Sequence, residues 1–165
     1  MLRDYRAKGY KATWISIDAL ATAFGLAVKM CGWQAIDGTL TAHSTRWWHE
    51  PYPLVEVSEQ ILHRYYPDEA EDIISAGLGF IACAQRAYTI SDLLRQAFQQ
   101  AGTENVNGQT IYDTAIKFKT TYEGYPEWGF SDTKRYAASS FAIYKWSAEA
   151  GDLVRITDWL SAINS

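Results

Sequence analysis

The stretch KATWISIDALATAFGLAVKMCGWQAIDGTLTAH, residues 11–43, decides the fold class. Its opening, KATWISID (11–18), is rich in β-formers and predicts a short strand. Asp18 stands directly before the apolar-periodic run ALATAFGLAVKM (19–30), where a carboxylate caps the first turn of a helix. Gly32 then ends that helix. The next run, WQAIDGTLTAH (33–43), alternates and predicts a second strand. Strand, helix and strand in this order form a unit of α/β type.

Asp37-Gly38 sits inside the second run and has two readings. It is a bulge or turn on a solvent edge, or a carboxylate at the rim of a binding site, where it favours a cation.

Downstream, STRWWHEPYP reads as a loop, and LVEVSEQILHRYY (54–66) has helical periodicity. A helical region is expected from about 69 to 101. Gly77 and Gly79 weaken its start, Tyr88–Ser91 offers an internal break with Ser91 recapping, and Gly102 ends it. GQTIYDTAIKF (108–118) predicts a short helix, and 119–135 a polar, aromatic loop. Two strands, about 137–146 and 152–158, flank the hairpin SAEAGD.

The bulk composition narrows the function classes. The chain has 165 residues and a net charge of −4. Its Lys and Arg form no stripe dense enough to track phosphates, which argues against nucleic acid. No run of about 18 apolar residues spans a membrane. The basic start MLRDYRAKGYK lacks the apolar segment of a signal peptide. Seven Trp, eleven Tyr and six Phe are read first as core. Cys31 and Cys83, in apolar helical contexts, read as two buried free thiols.

Catalytic signatures are missing. There is no G-x-S-x-G elbow, no Walker loop and no G-x-G-x-x-G after a strand. His43, His49-Glu50 and His63 do not have metal-ligand spacing. No enzyme, metal or cofactor is expected.

Several weak motifs occur in a telling order. The βα unit is followed by the carboxylate-Gly pair, a proline loop and an amphipathic helix. A long helix opens AGLGF (76–80) and closes QQAG (99–102). Ile143-Tyr-Lys145 and LVRITDW (153–159) end the series. Across essentially the whole chain this resembles the C-terminal half of the branched-chain amino acid (Leu/Ile/Val-binding-like) type of ABC-transporter substrate-binding protein.

The resemblance implies part of a two-lobe periplasmic-binding-protein fold, a Rossmann-like three-layer Venus flytrap. About 1–70 would belong to the C-terminal lobe, 71–135 would cross toward the N-terminal lobe, and 136–165 would return. It implies an extracytoplasmic solute-binding component that presents an amino acid or aromatic acid to an ABC permease. Asp37 would meet the ligand's ammonium group, where the family more often has Glu. Asp18 and Ala19, at a strand's carboxyl end, Gly79 and Phe80, at the opening of the long helix, and Trp47 complete the expected ligand contacts. Trp128 and Phe130 are weaker candidates.

Much of the family's length is absent, so a truncated chain with half a cleft is expected, with self-association through surfaces the missing half would cover. Three alternatives are a ligand-sensing domain of the same fold, a truncated oligomeric product without solute binding, and, least favoured, a small-molecule enzyme on an α/β scaffold.

Overall fold

A computed structural model describes residues 2–119, 129–134 and 136–161. The chain divides into two compact units. Unit 1 comprises 1–83 and 142–158, and unit 2 comprises 84–141 and 159–165.

Unit 1 carries a mixed sheet. Strand β1 (Ile15–Ser16) pairs in parallel with β2 (Leu40–His43). β2 pairs antiparallel with β3 (Ser140–Ser147), which pairs antiparallel with β4 (Asp152–Arg155). The expected C-terminal hairpin is present, turning at 148–151. Thr41 opposes Tyr144 and His43 opposes Ala142, so these side chains share one face with Trp146. That face is buried. Phe24 closes over it, with ring centroids 5.0 Å from Trp146 and 5.2 Å from Trp47.

Around the sheet lie α1 (Leu2–Ala7), α2 (Asp18–Thr22), α3 (Phe24–Cys31), α4 (Trp33–Ile36), α5 (Pro53–Tyr65) and α6 (Ala70–Ala76). Helix α7 (Gly79–Ala101) begins in unit 1 and continues into unit 2. Unit 2 also holds α8 (Gly108–Ala115), capped by Asn107, whose side chain accepts from the Gln109 and Thr110 amides. There Ser140 and Phe141 pair with β5 (Leu160–Ser161). No single helix among the described residues is long and apolar enough to cross a membrane.

The α/β class holds, but several local expectations are corrected. The first strand is only Ile15–Ser16, and Asp18 is the first helical residue rather than the cap. Ile17 takes the cap position without a side-chain bond. The expected helix over 19–30 breaks at Ala23 (φ −108, ψ 35). The expected strand over 33–43 is a helical turn, Trp33–Ile36, then a turn at Asp37-Gly38, with the strand confined to Leu40–His43. Gly38 adopts φ +77, which lets the chain reverse there without side-chain strain. Ala35 and Ile36 are adjacent and both buried, a pattern a half-buried strand does not give.

The helical region over 69–101 is two helices divided at Gly77-Leu78. Gly77 has φ +127, and a Cβ there would lie 2.3 Å from the Ala21 carbonyl oxygen. Conversely, α7 runs unbroken through Tyr88–Ser91. The Thr89 hydroxyl donates to the Gln85 carbonyl one turn back, so the polar residue is satisfied inside the helix. Both cysteines are free, but Cys31 is half-buried and Cys83 is exposed, not buried as expected.

Candidate functional site

In open sheets with parallel strands, ligands gather at the carboxyl ends of the strands. Here those ends belong to β1 and β2. Two residues past the end of β1, Asp18 opens α2; at the end of β2 stands His43. The His43 Nδ1 lies 2.5 Å from Asp18 Oδ1. The imidazole is fully buried while the Asp18 side chain is 39% exposed. The pair therefore ties a buried ring to a carboxylate that faces water. The second carboxylate oxygen of Asp18 has no partner among the described residues. His43 Nε2 is buried and likewise without a hydrogen bond.

Behind this pair is a second polar knot. The His43 ring meets the Tyr144 ring edge-on at 5.0 Å. The Tyr144 hydroxyl donates to Glu50, which also accepts from the Trp47 amide at 3.0 Å and Arg155 Nε at 3.0 Å. Arg46 reaches the same carboxylate at 3.3 Å. Burial, then the hydrogen bond and charge of Glu50, push the Tyr144 phenol well above its ordinary range. Tyr144 is held neutral, as a donor, and its ring buttresses His43.

The expected site residues fall into two groups. Asp18 and Ala19 are neighbours at the start of α2, with Ala19 exposed. Gly79 lies beside the same helix: its ideal Cβ position is 3.8 Å from Thr22 Cγ2. The Leu78 amide donates to the Ala21 carbonyl at 3.1 Å, fixing the α7 start against α2. Phe80, half-buried, stacks on Trp48 at 6.3 Å and meets Tyr66 edge-on.

Asp37 and Trp47 lie elsewhere. Asp37 precedes β2, at the opposite end of that strand from His43. It is exposed, and its Oδ1 accepts the Ala148 amide at 2.8 Å, bracing the β3–β4 hairpin. Trp47 is 3% exposed, and its Nε1 donates to Asp152 Oδ1 at 2.8 Å. Phe130 is half-buried in unit 2, and Trp128 lies outside the described residues. His43 was not among the expected ligand contacts. The only signal for it was its place in the alternation Thr41, His43.

Among the described residues no group of three or more His, Cys, Asp or Glu could hold a metal ion.

No protein-family model and no curated protein matches the chain. Solved structures do. A branched-chain amino acid ABC transporter protein from Thermus thermophilus with bound valine superposes with TM-score 0.71 at 18% identity, over 98% of this chain and 42% of that one. A fatty acid ABC transporter substrate-binding protein from Thermomonospora curvata gives TM-score 0.71 at 12% identity, over 98% and 40%. A leucine-binding protein from Thermotoga maritima gives TM-score 0.66 at 14% identity, over 98% and 41%. The chain spans about two fifths of the length of these structures. It has the fold of a portion of the ABC-transporter substrate-binding proteins, as the resemblance in its residues implied.

Proposed function

We propose that the chain is a solute-binding part of an extracytoplasmic ABC-transporter component, its ligand an amino acid or a related small acid. It performs no chemistry, and affinity comes from enclosure. One observation carries the reading. At the carboxyl ends of two parallel strands, buried His43 holds the Asp18 carboxylate by one oxygen, while the other has no partner among the described residues and the side chain is 39% exposed. A solute ammonium group is the natural partner of that oxygen. Ala19, next to Asp18, and Gly79, against Thr22 of the same helix, are proposed for the same wall, with Phe80 following Gly79.

Residues 1–83 and 142–158 are assigned to the C-terminal lobe of the whole fold, and the remainder to the crossing and beyond. Unit 1 supplies one wall of the site. An ABC permease is the partner of the complete assembly. For Asp37 the bond to Ala148 favours a structural role over a ligand role.

The test is the unfolding midpoint of the chain against amino acids, aromatic acids and fatty acids. A solute at about one hundred times its Kd stabilises by about 2.7 kcal/mol. An amino acid that raises the midpoint supports the proposal. The same measurement is made on a form carrying the whole two-lobe fold, and no response of either form to any solute removes the proposal.

A further inference from the structure

A concavity of about 670 Å³ lies among α1, the end of α3 and α4, wholly within unit 1 and lined by none of the candidate solute-site residues. Its wall carries three cations, Arg3 and Arg6 from α1 and Lys29 from α3. Met30, Cys31 and Trp33 are among its other lining residues, and no acid is. Among the described residues no ion pair or hydrogen bond engages the three cationic side chains. Arg6 Nε is buried without a hydrogen-bond partner.

This arrangement opposes the chain's overall charge of −4. Arg3 and Arg6 are three apart on one helix, so they share a face and repel each other. The carboxyl end of α3 favours one nearby cation and accounts for Lys29. It does not account for the arginines. Uncompensated cations along a concave wall focus a positive potential where an anion can enter. Arginine forks match the tetrahedral oxygens of phosphate in pairs. The volume suits a small organic molecule, and the Trp33 indole offers a flat apolar surface to its ring.

We propose that this concavity binds an organic phosphate, with Arg3 and Arg6 on the phosphoryl oxygens, Lys29 completing the charge, and the organic portion against Trp33 and Met30. The site is separate from the Asp18 wall and does not depend on the solute-binding reading.

Cys31 lines the concavity and Cys83 does not, so the two thiols form a built-in comparison. Iodoacetamide modification of each is followed by mass spectrometry with adenosine monophosphate, adenosine, inorganic phosphate or citrate present. Adenosine monophosphate at about ten times its Kd is expected to slow Cys31 about tenfold and leave Cys83 unchanged. Inorganic phosphate is expected to protect more weakly, and adenosine and citrate not at all. Arg6→Gln and Lys29→Gln, each checked for an unchanged unfolding midpoint, are expected to remove or weaken the protection. Three results overturn the proposal: no protection by adenosine monophosphate, equal protection by adenosine or citrate, or protection that survives in both variants.

Discussion

His43 Nδ1 and Asp18 Oδ1 are 2.5 Å apart, although 25 residues separate them in sequence. The bond joins the ends of two parallel strands and orients the carboxylate we assign to solute. His43→Phe keeps the buried ring and deletes the bond. It is expected to cost about 1–3 kcal/mol in urea unfolding. A cost near zero shows that the pair does not form in solution.

The knot behind the pair gives a pH signature. The Tyr144 phenol titrates higher in the folded chain than when unfolded, through burial first and Glu50 second. Its contribution is therefore complete below the unfolded tyrosine value of about 10 and is lost as pH rises beyond it. Stability is expected to fall above about pH 10 more steeply in the wild type than in Tyr144→Phe. Parallel alkaline profiles for the two proteins would argue against a neutral, Glu50-bound phenol.

Glu50 gathers Tyr144, Arg155, Arg46 and the Trp47 amide on one carboxylate. Glu50→Ala strands these donors at a site only 14% exposed. The expected loss is about 2–4 kcal/mol, measured by denaturant unfolding with the slope unchanged.

Gly77→Ala tests the frame that seats α7 beside α2. Its new Cβ would lie 2.3 Å from the Ala21 oxygen, at φ +127. A loss on the order of 3 kcal/mol is expected from clash and backbone strain together. Gly38→Ala, at φ +77 but with nothing near its Cβ, is expected to cost less.

Asp37 separates the two readings of the stretch 33–43. Asp37→Ala removes the acceptor for the Ala148 amide and is expected to cost about 1 kcal/mol, while Asp37→Asn keeps an acceptor and costs little. Solute affinity is expected to be unchanged in Asp37→Asn. Weakened binding of an ammonium-bearing solute would return Asp37 to the ligand site.

The sequence carried the α/β rhythm, the helix after Pro53 and the C-terminal hairpin because each rests on local periodicity and turn residues. It did not carry the helical turn at Trp33–Ile36. Four residues are too few to show a helical period, and Gly38 reads equally well as a strand interruption. Nor did it carry the continuity of α7. Ser91 and Asp92 look like a restart, yet Asp92 bonds Arg95 and Gln96 within one helix. Asp18 was legible as a carboxylate at a strand's end, but its partner was not. That pairing depends on β1 and β2 lying side by side, which no local pattern encodes. Asp37 was legible as a carboxylate-Gly pair, but not the end of β2 it occupies.

The most direct test is the set of backbone amide shifts that move when a stabilising amino acid is titrated into the isotope-labelled chain. Movement is expected to concentrate at Asp18, Ala19, His43, Gly79 and Phe80 and to disappear in Asp18→Asn. Movement centred on Asp37 and Ala148, or movement unchanged in Asp18→Asn, would contradict it.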